Sequence, residues 1–203
     1  MIHNLWGKIT GNDQILARHS VRVLDKLTEL KEKKVALVGN ARSLTEQNYG
    51  HQIDDADIVV RINGAPIADS ISHGTRTDWL AISVPITKQR LRELNPKLTI
   101  WMTPKRKNFP LHLSRSSSLA FYPKSSHIAL SKALGSRPTT GAMAIDLIMF
   151  SDAKKLELFG FDFFSSRSLS GSRKKEDVPH DFAREKEWVA ALAAADNRLI
   201  LHR

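Results

Sequence analysis

The sequence predicts an α/β fold, with one Rossmann-like domain whose mostly parallel sheet is flanked by helices. Short apolar runs that stop at turn residues alternate along the chain with segments of helical periodicity. This alternation is typical of a parallel sheet with helices on both faces. The length of 203 residues suits one full domain and is short for two. We divide the chain into an N-terminal amphipathic helix within residues 1–32, part of the domain or appended to it, and the domain proper at residues 33–203.

Strands are predicted where apolar and β-branched residues run together. Lys33–Val38 is almost unbroken in its apolar character after its two lysines and stops at Gly39, which is typical of a buried central strand. Further runs predict strands at Ile58–Ile62, Trp79–Val84, Leu98–Met102, Leu119–Tyr122, Lys155–Gly160 and Arg198–Leu201.

Helices are predicted between these strands from periodicity and from capping residues. Residues 12–30 carry apolar side chains at near-helical spacing, and Ser43 with Glu46 resembles a capping box that opens a helix after the first strand. The other predicted helices are Thr87–Leu94, Ser125–Leu134, Ala142–Phe150 and His180–Ala195. Serine and basic residues are frequent in residues 105–118 and 165–178, so we expect a loop or lid in the first segment and a mobile loop in the second.

Charge and cysteine content narrow the possible functions. The formal net charge of +10 attracts anions such as nucleotides, lipid headgroups or acidic glycans, although a basic soluble protein without such a partner carries the same charge. The chain has no cysteine, which removes disulfides and thiolate chemistry and fits a reducing compartment. No apolar run reaches the ~18 residues of a membrane span, and no apolar stretch typical of a secretory signal begins the chain. We therefore expect a cytoplasmic protein.

Two predicted strands end in an asparagine. Gly39-Asn40 follows the first strand and Asn63 follows the second. Ligands of open α/β sheets bind beyond the carboxyl ends of the strands. Gly39 allows a ligand to approach the backbone closely, and the asparagine amides offer both donors and an acceptor. A simple turn after the strand explains Gly39-Asn40 equally well.

The acidic residues before the second strand have a structural interpretation. Arg61 lies within an apolar run and needs a partner, for which Asp55 and Asp57 are available, so we expect Arg61 to be structural. Asp55-Ala56-Asp57 also spells the D-x-D motif with which many sugar transferases bind a metal. We discount a metal site because the motif precedes its strand rather than following it.

A turn rich in hydroxyl groups opens the most apolar predicted helix. Thr139, Thr140 and Gly141 follow Arg137-Pro138 at this point. The N-terminus of a helix presents N–H groups and the positive end of the dipole, which suits a phosphate or a carboxylate. A threonine N-cap without any ligand accounts for the same residues.

His180 is the candidate general base. It is predicted at the start of a late helix, and an imidazole can accept a proton from a hydroxyl near neutral pH. Glu185 lies five positions later, so we expect it to orient a loop rather than to bond His180 within the helix. A lone histidine is more often structural or exposed than catalytic, and that alternative stays open.

These residues resemble the sialyltransferases of glycosyltransferase family 29. The long motif of that family is similar to the stretch from Val38-Gly39-Asn40 to Ala65-Pro66, which includes Gly50, Ile53, Asp54 and Asp57. The short motif resembles Arg137–Gly141 together with the Leu156–Phe161 strand, and the very short motif, H-x-x-x-x-E, matches His180 and Glu185. The resemblance covers the chain from about residue 34 to its end.

The resemblance implies a variant of the GT-A-type glycosyltransferase fold and a metal-independent, inverting transfer from a CMP-activated donor, with no cofactor. It implies that His180 is the base. It also implies donor contacts, assisted by Arg61, Arg137 and Glu185 as supporting residues, at Gly39, Asn40, Asn63, Tyr122, Thr139, Thr140 and Gly141.

Departures from the family pattern leave the donor open. The paired cysteines, the membrane anchor and the stem of the family are not found, which favours a bacterial, cytoplasmic form in glycan or lipopolysaccharide biosynthesis. Arg137 stands where the family has a tyrosine, and this basic residue is compatible with Kdo as well as with sialic acid as the transferred sugar. The expected partners are a CMP-linked donor and a glycan or glycolipid acceptor.

Three alternatives follow from the same sequence. The first is a non-catalytic module that binds nucleotides or polyanions, and the second, which we do not expect, is a nucleic-acid binder. The third concerns Met1–Lys31 and the loop at Lys105–Lys107, which could bring the protein to an anionic membrane surface. A helix packed on the core explains the N-terminal segment as well.

Overall fold

The sheet formed by the described residues has seven strands, and all of its pairings are parallel. The computed structural model describes residues 2–10, 12–18, 20–114, 118–163 and 180–202. The strands are β1 (Lys34–Val38), β2 (Ile58–Ile62), β3 (Trp79–Ile82), β4 (Leu98–Trp101), β5 (Leu119–Phe121), β6 (Lys155–Phe159) and β7 (Leu199–Leu201). Their order is β5-β4-β3-β2-β1-β6-β7. The predicted α/β class is confirmed, and the sheet is parallel throughout rather than mostly.

Helices connect the strands, as parallel pairing requires. They are α1 (Ile2–Thr10), α2 (Asp13–Leu16), α3 (Val23–Leu27), α4 (Gly50–Asp54), α5 (Ser70–His73), α6 (Lys88–Leu94), α7 (Lys124–Leu134), α8 (Thr140–Met149) and α9 (Phe182–Ala195). Single 3₁₀ turns lie at Thr28–Leu30, Arg42–Glu46, Arg106–Asn108 and Leu111–Leu113.

The core is centred on β1, which has strands on both sides. Its residues from Val35 to Val38 are buried, as expected for a central parallel strand covered on both faces. Helix α8 is buried from Thr140 to Ile145 and packs into the largest apolar cluster. This burial explains the exceptionally apolar sequence of α8, and it holds the N-terminus of that helix in a fixed position.

The single helix predicted over residues 12–30 is wrong. The segment instead forms α2, a turn and α3. The turn arises because the Ser20 hydroxyl donates to the carbonyl of Ala17 at 2.8 Å, and the N–H of Val21 donates to the carbonyl of Leu119 at 2.8 Å. A long-range hydrogen bond to β5 therefore replaces the helical one that periodicity alone predicts.

Two predicted helix starts are also wrong. The segment after β1 is a 3₁₀ turn preceded by Ala41, without the side-chain cap expected from Ser43. Asp181, not His180, caps α9, because its carboxylate accepts the N–H of Arg184 at 3.0 Å. His180 thus precedes the helix. The mobile loop predicted at residues 165–178 lies outside the described residues.

Candidate active site

The strand order creates a topological switch point between β1 and β6. From β1 the chain builds the sheet outward through β2 to β5, and it then returns to add β6 and β7 on the other side of β1. Open α/β sheets bind ligands beyond the carboxyl ends of their strands at such a point. Gly39 follows β1 and Gly160 follows β6, so these two glycines mark the candidate crevice.

Close backbone approach at the switch point requires glycine. A Cβ atom on Gly39 would lie 2.3 Å from the carbonyl oxygen of Gly160, and Gly160 itself has a φ of +69°. A Cβ atom on Gly141 would lie 2.8 Å from Cε1 of Phe161. The predicted glycines of the long and short motifs therefore both pack against the segment that follows β6. Only glycine allows these contacts without displacing a neighbour.

Asn40 connects the ends of β1 and β2. Its side chain is buried, and its Nδ2 donates to the carbonyl of Ile62 at 3.4 Å. This amide thus helps to hold the ends of the two asparagine-tipped strands together.

Asn63 joins the end of β2 to the helix that carries the short motif. It adopts a left-handed backbone conformation with a φ of +52°. Its Oδ1 accepts the N–H of Ser83 at 3.0 Å and the hydroxyl of Thr140 at 3.4 Å. The Thr140 hydroxyl lies 2.8 Å from the Ser83 hydroxyl. The polar side chains of Asn63 and Ser83, which directly follow β2 and β3, therefore lie together with that of Thr140, the first residue of α8.

Glu185 holds the turn that opens α8. Its carboxylate accepts the backbone N–H of Thr139 at 2.7 Å and the Thr139 hydroxyl at 2.8 Å. Thr139 is also the N-cap of α8, since its Oγ1 accepts the N–H of Ala142 at 3.0 Å. Burial raises the pKa of Glu185, although the two bonds from Thr139 oppose that shift. Glu185 thus binds the turn that precedes α8 through two hydrogen bonds.

His180 is fixed by the residue that begins the short motif. Its Nδ1 lies 2.7 Å from the backbone carbonyl oxygen of Arg137. A carbonyl oxygen can only accept, so Nδ1 carries the proton and donates it. In the neutral ring Nε2 then holds the lone pair, which is the tautomer that a general base requires. The fold therefore holds the candidate base against Arg137, which precedes the hydroxyl-rich turn at Thr139.

A positively charged region lies beside His180. The Arg137 guanidinium donates to Thr103 Oγ1 at 3.4 Å, and the buried Arg106 guanidinium donates to the Thr103 carbonyl. Arg106 also lies 4.8 Å above the ring of Phe121. The pKa of His127 is lowered first by burial and then by the positive charges of Arg137 and Arg106. An anionic group is therefore favoured near Arg137.

Arg61 is buried and has structural partners. It donates to the backbone carbonyls of His73 at 2.7 Å and Arg76 at 2.8 Å. Burial lowers the pKa of Arg61 to about 10, and the negative charge of Asp54 opposes that shift. The expected ion pair with Asp55 or Asp57 is wrong, because carbonyl groups of the α5 region receive these two nitrogens.

The D-x-D aspartates make local contacts before β2. Asp55 lies 3.1 Å from the ring of His51, and Asp57 accepts the N–H of Lys34 at 2.8 Å. Both residues lie near the amino ends of the strands, opposite the switch point. Within the described ranges, no three His, Asp or Glu side chains are grouped in a way that could hold a metal ion.

Tyr122 lies in the apolar core. Its hydroxyl donates to Oδ2 of Asp146 in α8 at 2.6 Å. Burial and this bond raise the pKa of Tyr122, and burial raises that of Asp146. The structure thus does not bring the Tyr122 hydroxyl together with Asn63, Thr140 and His180.

A cavity of 330 Å³ borders the switch point. It includes Gly160 and Phe161, and its wall is completed by Ser43, Leu44, Gln47, Tyr49, Asp162, Phe163, Lys186, Ala190, Leu201 and His202. A larger cavity of 470 Å³ opens at the amino ends of β1 and β6, next to Lys34 and Lys155. Strand polarity rather than cavity size therefore marks the candidate site.

Sequence reasoning missed three residues of this region. They are Ser83, Thr103 and Phe161, which follow β3, β4 and β6 directly or after one residue. The signal that identified Asn63, a polar or aromatic side chain just beyond a buried strand, also applies to them.

Known proteins resemble the chain in sequence and in structure. A bovine (Bos taurus) alpha-N-acetylneuraminide alpha-2,8-sialyltransferase is 27% identical in an alignment of 155 residues that covers 71% of this chain. The match spans 40% of the length of the bovine protein.

Solved sialyltransferase structures share the fold. The crystal structure of a mammalian sialyltransferase matches with a TM-score of 0.63 and 18% identity over 89% of this chain and 77% of the other. The sialyltransferase CstII from Campylobacter jejuni, in complex with the substrate analogue CMP-3FNeuAc, matches with a TM-score of 0.58 and 16% identity over 83% and 81% of the two chains. CstII with a trisaccharide acceptor and CMP matches with a TM-score of 0.59 and 17% identity over 83% and 80%.

The parallel sheet and its switch point define a Rossmann-like α/β fold, which the solved sialyltransferase structures share. Residues 10–109 match glycosyltransferase family 29 (sialyltransferase). The match spans just under half of the chain, which is thus similar to the sialyltransferases of this family. The match covers the long motif, while the short and very short motifs lie beyond it and are joined to it by the hydrogen bonds of Asn63 and Glu185.

Proposed function

We propose that this protein transfers a keto-sugar acid, sialic acid or Kdo, from its CMP-activated donor to a glycan hydroxyl. The transfer inverts the anomeric carbon and uses no metal ion. His180 acts as the general base. The observation that carries the proposal is the bond between His180 Nδ1 and the Arg137 carbonyl, which sets the base tautomer next to the Thr139 turn. The similarity to glycosyltransferase family 29 supports the same conclusion.

The donor is proposed to lie across the switch point. The glycines at positions 39 and 141 let the end of β1 and the start of α8 pack closely on the segment that follows β6, and Asn40 and Asn63 supply amide groups for the CMP moiety. The N-terminus of α8, which opens with Thr139 and Thr140, favours the negative charge of the phosphate and of the sugar carboxylate. The complexes of CstII with CMP and with CMP-3FNeuAc support a CMP-linked donor.

The proposed reaction needs one proton transfer. The acceptor oxygen bonds to the anomeric carbon as the bond from that carbon to the CMP phosphate oxygen breaks. His180 Nε2 takes the acceptor proton, and CMP leaves with the electron pair. Positive groups at the α8 N-terminus and at Arg137 stabilise the charge that develops on the phosphate and on the carboxylate. This arrangement requires no divalent ion in any of its steps.

The acceptor is proposed to be a glycan or glycolipid, with an anionic group near Arg137. A mammalian relative was crystallised with Gal-beta-1-3GalNAc-ortho-nitrophenol and CstII with a trisaccharide acceptor. The name of the bovine relative points to an alpha-N-acetylneuraminide, which carries a carboxylate. The positive surroundings of Arg137 are suited to such a group.

The test is CMP release from CMP-sialic acid and from CMP-Kdo, with and without EDTA. Acceptors ending in galactose and in sialic acid are compared in parallel. We expect release with one donor, unchanged by EDTA. Loss of all turnover on chelation would contradict the metal-free mechanism. Binding of CMP in a thermal-shift measurement without any release would instead support a non-catalytic nucleotide-binding module.

A further inference from the structure

Helix α1 presents an apolar face to solvent. Leu5, Trp6 and Ile9 are 47%, 56% and 71% exposed. Leu5 and Ile9 are four residues apart, so they lie above one another on the helix, with Trp6 beside them. Elsewhere in the described part of the chain, exposed large apolar side chains lie one to a segment, at Leu24, Ile71, Val84, Ile128 and Phe150. Scattered exposed residues of that kind are normal, whereas three within five residues form a patch.

The opposite side of α1 is fixed to the protein. Gly7 is buried, and a Cβ atom there would lie 2.7 Å from Cγ2 of Ile15. Because only glycine allows this approach, α1 is held against α2 by its Gly7 side. The apolar face of Leu5, Trp6 and Ile9 is therefore held outward in a defined orientation.

The loop that packs against α1 is basic. Helix α1 contacts the turns at Arg106–Asn108 and Leu111–Leu113. Lys105 and Lys107 of this loop are exposed, and Lys8 is half-buried on α1 itself. Neither residues 1–12 nor residues 105–118 contain an aspartate or a glutamate. An apolar face bordered by lysines is complementary to an anionic lipid bilayer, where tryptophan occupies the interface and lysine binds the headgroups.

We propose that the face formed by Leu5, Trp6 and Ile9, together with Lys105 and Lys107, docks the protein onto an anionic membrane surface. At nine residues, α1 would lie in the interface instead of crossing it. In keeping with this, none of the helices in the described parts of the chain is long and apolar enough to span a bilayer.

The same loop connects this face to the candidate base. Arg106 of the loop donates to the Thr103 carbonyl, and Arg137 donates to the Thr103 hydroxyl. The carbonyl of Arg137 in turn receives the Nδ1–H of His180. Docking through α1 would therefore hold the base at a fixed position relative to the membrane, near acceptors that are anchored there.

The experiment is flotation of the full chain with phosphatidylcholine vesicles, with and without added phosphatidylglycerol. We expect the protein to float only with the anionic vesicles, and raised salt to release it. Replacing both lysines (Lys105→Gln with Lys107→Gln) should weaken binding about 30-fold, since each surface lysine contributes about one factor of five to six. The matched control replaces two exposed lysines elsewhere, Lys132→Gln with Lys154→Gln. This control variant should bind anionic vesicles more tightly than the Lys105 and Lys107 variant.

The apolar face has its own control. The triple variant Leu5→Gln, Trp6→Gln, Ile9→Gln should lose flotation, because glutamine keeps helix propensity but removes the apolar contact. Its control is Ile71→Gln, Ile128→Gln, Phe150→Gln, which removes a similar amount of exposed apolar surface outside α1. Far-UV circular dichroism and the thermal midpoint of each variant check that the fold is kept.

Three outcomes would overturn the proposal. The first is equal flotation with neutral and anionic vesicles, and the second is equal loss in the α1 variant and its control. The third is a dimer in size-exclusion chromatography that the α1 variant abolishes while no vesicle binds, since the face would then be an interface between two copies. Quenching of tryptophan fluorescence by brominated lipids that is lost when Trp6 is replaced would support docking directly, because Trp79 and Trp101 are buried and Trp188 is half-buried against the core.

Discussion

Glu185 accepts two hydrogen bonds from Thr139, one from the backbone N–H at 2.7 Å and one from the hydroxyl at 2.8 Å. The two residues belong to motifs that are 46 positions apart. This contact ties α9, just after His180, to the N-terminus of α8. The glutamate of the H-x-x-x-x-E motif is thus bound to the hydroxyl-rich turn of the short motif.

Replacing Glu185 by alanine should destabilise the protein by about 2–4 kcal/mol. The loss combines a buried N–H left without its acceptor and a cavity in place of the side chain. Glu185→Gln keeps the shape and one acceptor oxygen, so its loss should be smaller. Urea unfolding of both variants measures the difference. Equal stability of Glu185→Ala and the wild type would contradict the role of this contact.

The stability of the wild type relative to Glu185→Gln should be greatest at low pH. Burial raises its folded-state pKa above the unfolded value. A raised pKa contributes stability below the unfolded pKa, and that contribution is lost as pH rises through the folded pKa. Glutamine does not titrate, so the stability of wild type relative to Glu185→Gln should fall as pH increases from about 4 towards neutrality. Unfolding curves over this range check the sign, and a constant difference would contradict it.

His180→Ala should bind CMP normally but turn over at least ~100-fold more slowly. The reason is that the variant removes the proposed proton acceptor and leaves the switch-point glycines and the α8 N-terminus in place. The matched control is His51→Ala, since the His51 side chain is 91% exposed and lies before β2. CMP release and CMP titration are measured for both variants. Wild-type rates in His180→Ala would remove His180 from its role.

Gly39→Ala should lose several kcal/mol of stability and with it CMP binding. Its new methyl group would meet the backbone oxygen of Gly160 at 2.3 Å, and backbone atoms cannot move aside cheaply. Gly64→Ala is the control, because no atom lies within 4 Å of the added Cβ. It should change stability by less than about 0.5 kcal/mol. Similar unfolding midpoints for the two variants would contradict the close approach of Gly39 to Gly160.

Tyr122→Phe separates a core role from a donor contact. It removes the hydroxyl that donates to the half-buried Asp146, so stability should fall by about 1–3 kcal/mol and the pKa of Asp146 should rise further. If Tyr122 acts only in the core, the affinity for CMP stays unchanged at a temperature where both proteins are folded. A clear loss of CMP affinity without a loss of stability would instead support the donor contact implied by the family resemblance.

Local sequence patterns predicted most elements of the sheet but not every helix. Buried strands need continuous apolar runs, so local runs of apolar residues were enough to predict β1, β2 and β6. The break between α2 and α3 was not, because it depends on the bond from Val21 to Leu119, almost a hundred residues away. Local helical periodicity cannot reveal a competing tertiary hydrogen bond.

The sequence by itself determined the chemical groups available to this protein. It supplied two asparagines at strand ends, a hydroxyl-rich helix start and a late histidine, because each depends on residue type and local position. Only the tertiary structure decided which of them meet. The bonds from Thr140 to Asn63 and from His180 to Arg137 span 77 and 43 positions, and they exist because the strand order brings distant loops to one edge of the sheet. That order leaves no local pattern in the chain, since it is selected by how the helices and strands pack together.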